Sequence, residues 1–208
     1  MRRRVLTAAR LHQESVGPLR WRAAFLTLTY RDGDDWRPRH VTGLLKHIRQ
    51  WLRRRGVPFR YVWVAEMQKR GAIHYHVVVW LPKGLTLPKP DKQGWWRHGM
   101  TNIEWARRAV GYVAKYASKG QDIRGDQLPA GARIHGCGGH EVEERQERSW
   151  WALPGWLREL WGMEHSAKRC SGGWVSRLTG EVVRSPWRLV WHSAGYERMR
   201  FEWVGDQR

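Results

Sequence analysis

The chain has 208 residues, 41% of them apolar and 27% charged, a balance that supports a folded domain with an extension and excludes a disordered or collagen-like chain. Its 38 Lys and Arg against 19 Asp and Glu leave a formal charge of +19, a field that seeks a polyanion and argues against an enzyme of small neutral substrates. No run of about 18 apolar residues exists to span a bilayer, so nucleic acid stands ahead of an anionic membrane as the expected partner.

The opening Arg2-Arg3-Arg4 is not followed by the apolar stretch of a signal peptide, and two cysteines, Cys137 and Cys170, are too few for a disulfide framework. The expected location is a reducing cytoplasm with both thiols free. Ala24 to Tyr30 alternates with period two and is expected to be the first strand, after which Arg31-Asp32-Gly33-Asp34-Asp35 forms a loop. From Thr42, Leu44, Leu45, Ile48, Trp51 and Leu52 recur at helical spacing up to a stop at Gly56. The outer face of that helix carries Lys46, Arg49, Arg53 and Arg54, either as a solvated face or as one that contacts phosphates, with the solvated reading slightly ahead.

Tyr61–Glu66 and Ile73–Trp80 read as a hairpin. A loop at Lys69 to Gly71, with Gly71 in the left-handed conformation, sets Glu66 opposite His74 on one face of the sheet. Residues 81 to 98 are expected to form a long exposed loop. A short strand at Met100 to Ile103 and a helix from Glu104 to Lys119, stopped by Gly120, come next. Residues 121–149 read as a linker. The rest, 150–208, reads as a Trp-rich extension with a short helix near Pro154 to Trp161, a hairpin around Thr179-Gly180 and a strand at Arg188 to Trp191. Sixteen tryptophans are either core or platforms for unpaired bases, the core reading being favoured.

Three groups of residues carry chemistry. His74 and His76, two apart on one strand, project to one face. With Glu66 opposite, they form a two-nitrogen, one-oxygen set suited to Mg²⁺ or Mn²⁺ with open positions for water and a phosphate oxygen, Gln68 being the fallback for Glu66. On the second helix Tyr112, Lys115, Tyr116 and Lys119 fall at i, i+3, i+4 and i+7 and share a face. The apolar positions are expected on the opposite face, which would leave the tyrosines presented rather than packed. A phenol with a reference pKa of about 10 is a poor nucleophile, and a nearby Lys cation favours its phenolate. The third group, His135, Cys137 and His140, fits the spacing of structural zinc poorly.

Phe25 to Tyr30, His74-Tyr75-His76 and the doubled Tyr-x-x-Lys at Tyr112 to Lys119 occur in the order of the three motifs of HUH endonucleases of the replication-initiator type. Over residues 22 to 120 the chain resembles the two-tyrosine initiators of filamentous and small isometric single-stranded DNA phages. The resemblance implies an α+β fold, a central antiparallel sheet with helices packed on it, in an endonuclease core of residues 1–120. It implies nicking of single-stranded or hairpin origin DNA through a 5′-phosphotyrosine, release of a 3′-OH for a polymerase, and a second tyrosine that cuts after one round. It also implies unwinding by a separate helicase of the host. A relaxase is disfavoured because its tyrosines precede its histidines; a two-tyrosine transposase and a non-enzymatic single-stranded DNA-binding protein are the alternatives.

Overall fold

A computed structural model of the chain describes residues 1–17, 19–32, 35–68, 71–119, 129, 131–171, 173–192 and 198–205, with backbone alone at 118, 119, 189, 191, 192 and 198–200. The chain divides into two compact units, Met1–Glu144 and Arg145–Arg208. None of the described helices is long and apolar enough to cross a membrane.

The first unit is built on β1 (Trp21–Thr29), β2 (Arg60–Met67), β3 (Ile73–Pro82), β4 (Thr101–Ala106) and β5 (His135–Gly138). They form one antiparallel sheet in the order β4-β1-β3-β2-β5. Helices α1 (Arg2–Val16), α2 (His40–Arg53) and α3 (Ala109–Lys119) cover it. Because side chains alternate along each strand, the sheet has two buried faces. Leu26, Leu28, Trp63, Tyr75 and Val77 face α2, whose stripe of Val41, Leu44, Leu45, Ile48 and Leu52 is buried against them. Phe25, Val62, Val64, Val78 and Trp80 face Val5, Ala8 and Ala9 of α1 and Ala109, Val113 and Ala117 of α3. The fold is therefore α+β, three layers deep, with the expected site residues on the α1/α3 side.

Several expectations need correction. The basic N-terminus is a helix, because Val5, Ala8, Ala9 and His12 fall on one face and bury there despite the arginines around them. Residues 104–106 belong to β4 and not to the second helix: Trp105 pairs with Ala24 and Glu104 with Phe25, and ladder hydrogen bonding overrides the helical propensity of this stretch. Residues 83–100 are tied down rather than exposed. Trp96 and Leu87 are buried, Trp96 Nε1 donates to the Thr29 carbonyl at 3.2 Å, and Arg31 N donates to the His98 carbonyl at 2.8 Å. The interval read as a linker supplies β5 and helix α4 (Val142–Trp151); residues 120–128 and 130 lie outside the described residues.

The second unit holds helix α5 (Gly155–Leu160), a sheet of β6 (Ala167–Cys170), β7 (Gly173–Ser176) and β8 (Val182–Val183), and a ribbon of β9 (Trp187–His192) and β10 (Arg198–Trp203). Leu153, Leu157, Trp161 and Val183 form its small core, and Gly180 takes the left-handed conformation at the β7–β8 turn, where the sequence places a hairpin. Trp36, Trp63, Trp80, Trp96 and Trp161 are buried, in line with the core reading, whereas Trp105, Trp187 and Trp203 are exposed. Cys137 and Cys170 are free thiols.

Candidate active site

The hairpin fixes the first half of the site. Gln68 N donates to the Ala72 carbonyl at 2.9 Å and Gly71, at φ 81°, takes the left-handed turn position that a side chain would strain. Glu66 is thereby paired with His74 in the β2–β3 ladder, in the register expected from the sequence. On the other side of β3, Thr27 of β1 pairs with His76 and Thr29 with His74. The alternation of all three strands puts Thr27, Glu66, His74 and His76 on the α3 side.

His76 is the centre of this group and is 5% exposed. Its Nε2 lies 2.7 Å from Glu66 Oε2 and its Nδ1 lies 3.4 Å from Thr27 Oγ1, so both edges of the ring are held. The His74 ring stands 6.2 Å from that of His76, centre to centre, in an edge-on arrangement. Glu66 and His76 are thus in contact, whereas His74 shares their face without its donor atom converging on theirs. In donor chemistry the three fit a divalent cation: two neutral imidazoles and a carboxylate, with a hydroxyl steering one imidazole from behind.

Helix α3 supplies the other half. The Tyr116 ring is stacked on His76 with centres 3.7 Å apart, and Phe25 underlies the group, 5.5 Å from both His76 and Tyr116 and 5.1 Å from Tyr112. Tyr112 is 37% exposed. Lys115 is exposed, with Nζ 5.7 Å from the centre of the Tyr116 ring. Lys119 ends the helix, and its side chain lies outside the described residues.

The tyrosines do not lie opposite the core, contrary to the expectation from the helix pattern. The buried stripe of α3 is Ala109, Val113 and Ala117, and at about 100° per residue Tyr116 and Tyr112 sit on its flank. Continuing the helix back through β4 adds Ile103 and Ala106 to the stripe and rotates its apparent centre, which is why the pattern misleads. The observed face brings Tyr116 onto the histidines. Phe25 and Thr27 are site residues that the sequence reading did not single out, although the period-two pattern of β1 already places them on one face.

His135, Cys137 and His140 do not gather. Cys137 packs into the α1/α3 core, while His140 stacks on His12 with ring centres 3.7 Å apart. Among the described residues the metal-type donors that lie within 4.8 Å of one another are His12, His140 and Glu144. Arg60 already engages this cluster: its Nη1 donates to both Glu144 oxygens, at 2.9 and 3.0 Å, and lies 3.3 Å from His12 Nδ1. Burial pushes Glu144 up, but hydrogen bonds from Glu141 N, Ser15 and Arg60 outweigh it and hold the carboxyl below its usual value. A cation here would sit beside a guanidinium, so the cluster reads as a buried charge network that fastens α1 to β2.

Burial, with the charges of His140 and Arg60, pushes the His12 imidazole down to about 2. The sign follows: the folded state holds His12 neutral while the unfolded state takes a proton below about pH 6.5, so no stability is lost above that pH and about 1.4 kcal/mol is lost per unit below it. Comparing urea unfolding of the protein and of His12→Gln at pH 7.5 and 5.5 should show a steeper loss in the unsubstituted chain. Equal losses would mean that His12 is protonated in the fold.

With this geometry in place, one comparison bears on the chain. Residues 23–121 match the model of a family of replication-associated proteins, the ORF2 type. The matched region runs from β1 past the end of α3 and so takes in Phe25, Thr27, Glu66, His74, His76 and both tyrosines, while α1, β5 and the second unit lie outside it. Comparisons with curated proteins and with solved structures gave no match.

Proposed function

We propose that the protein is a replication initiator that nicks and rejoins DNA at an origin, with Tyr112 and Tyr116 as nucleophiles and His74, His76 and Glu66 as the metal-holding residues. The observation that carries this reading is the stacking of Tyr116 on His76, whose opposite edge contacts Glu66. The match to replication-associated proteins over the same elements supports it.

In the proposed step the phenol oxygen of one tyrosine attacks the scissile phosphorus in line. The new bond joins the tyrosine to the 5′-phosphate, the bond from phosphorus to the 3′-oxygen breaks, and a proton leaves the phenol and reaches that oxygen, which departs as a 3′-OH. Lys115 stands beside Tyr116, where its charge favours phenolate and the anionic phosphate. Lys119 has the same role beside the second Tyr-x-x-Lys unit in sequence. Thr27 keeps the His76 imidazole oriented. A divalent cation, Mg²⁺ or Mn²⁺, bound by His74, His76 and Glu66 supplies Lewis-acid polarisation of the phosphate oxygens. The reverse attack, by a 3′-OH on the phosphotyrosine, rejoins strands without a nucleotide cofactor, and the second tyrosine allows a further cut while the first is occupied. Unwinding and synthesis fall to a separate helicase and polymerase.

In the presence of Mn²⁺ and single-stranded candidate-origin oligonucleotides, the protein should form an adduct that survives boiling in detergent. Tyr112→Phe and Tyr116→Phe should each retain some adduct and the double substitution none. An adduct undiminished in the double variant overturns the assignment of the nucleophiles. Tight binding with no adduct on any strand favours a single-stranded DNA-binding protein instead.

A further inference from the structure

The four cations of helix α2 singled out in the sequence play no part in the chemistry above, because α2 covers the opposite face of the sheet. A cleft of about 910 Å³ opens there between α2 and the β2–β5 edge. Its wall carries Arg39, Lys46, Arg49 and Arg133, all exposed, and no carboxylate is among the residues that line it. None of the four is in an ion pair with a described carboxylate.

The cleft is open for a reason visible in the sequence. The residues of β5 that face it are Gly136 and Gly138, paired with Trp63 and Tyr61. A Cβ at Gly136 would lie 2.5 Å from the Trp63 indole, and one at Gly138 would lie 2.7 Å from the Tyr61 ring. The glycines let the two rings lie flat on β5, so the edge strand contributes no side chain to fill the space.

Along α2, Arg39, Lys46, Arg49 and Arg53 fall within an arc of about 80° and extend over about 21 Å. Arg133 stands on the other side of the cleft. The first turn of α2 opens toward it with no side-chain cap, and its N-terminal dipole adds positive potential. A ridge of that length exceeds a single phosphate and matches a run of about six base pairs of backbone at about 3.4 Å each.

We infer that this cleft binds the phosphate backbone of duplex DNA, on the face of the sheet opposite the tyrosines, and so holds the double-stranded flank of the segment being cut. The inference rests on the reading of DNA as the substrate but not on the nicking chemistry. Protein with Lys46, Arg49 and Arg133 all changed to Ala should bind a fluorescein-labelled 20-base-pair duplex of arbitrary sequence at least about tenfold more weakly at 100 mM salt. The slope of log affinity against log salt should become shallower by about 0.9 for each phosphate no longer neutralised. A control with Arg20, Lys83 and Lys89 changed to Ala loses the same net charge elsewhere and should retain most of the affinity. The cleft variant should also form the boiling-resistant adduct with a short single strand as the unsubstituted protein does, and a melting curve verifies its fold. Unchanged duplex affinity and slope in the cleft variant, an equal loss in the control, or failure of the unsubstituted protein to bind the duplex overturns the inference. Absence of adduct in every protein would instead count against the nicking reading.

Discussion

His76→Ala should reduce metal-dependent cleavage about a thousandfold or more, the equivalent of the several kcal/mol that a Lewis acid contributes to a developing phosphoryl charge. His76 is where the parts of the site meet: Tyr116 stacks on its ring, Glu66 contacts Nε2 and Thr27 approaches Nδ1. The side chain is also buried, so its removal leaves a gap beneath Tyr116. Two further measurements separate chemistry from folding. Affinity for a single-stranded oligonucleotide in EDTA should fall by less than about tenfold, since phosphate contacts dominate that affinity, and the melting temperature should stay within a few degrees. Parallel loss of binding, cleavage and thermal stability would mark His76 as a packing residue. Glu66→Gln removes the carboxylate charge and keeps the volume; it should weaken activation by Mn²⁺ while leaving the fold intact.

The second large effect is on stability. Trp80→Ala should cost about 3–5 kcal/mol, the usual range for removing a large buried aromatic side chain. Trp80 is 0% exposed on β3, its ring lies 4.9 Å from that of His12, and its Nε1 donates to Gln13 Oε1 at 3.2 Å. It therefore fastens α1 to the sheet by packing and by a hydrogen bond at once. Out of a typical stability of about 5–15 kcal/mol such a loss is a large share. Trp80→Phe keeps most of the apolar contact and should cost less than half as much in urea denaturation. A Trp80→Ala cost below about 1 kcal/mol would mean that α1 is not docked as described.

The part of this arrangement legible in the sequence was the part encoded by short-range alternation and turn chemistry. Gly71 and the flanking period-two runs set the β2–β3 register, and with it Glu66 opposite His74. The stripe of Leu44, Leu45, Ile48 and Leu52 marked α2. What was missed depends on tertiary context. Helix α1 hides its buried face among arginines and includes His12, whose burial is made tolerable by Arg60 and Glu144, 48 and 84 residues away from their partners. Strand β5, His-Gly-Cys-Gly, has no β-branched residue and is held by pairing to β2 and by two rings that need its glycines. The start of α3 was misjudged because Asn102 to Ala106 has acceptable helical propensity, and only the free edge of β1 claims it for the sheet. That shift of boundary decided which way the tyrosines face.

The central claim is that Tyr112 or Tyr116 becomes covalently joined to DNA beside the histidine face. Peptide mapping by mass spectrometry of the adduct trapped on a single-stranded oligonucleotide tests it most directly. The account predicts a 5′-phosphonucleotide on Tyr112 or Tyr116 and a matching free 3′-OH on the released strand. A modified residue elsewhere in the chain, or cleavage that leaves no protein-bound nucleotide, would contradict it.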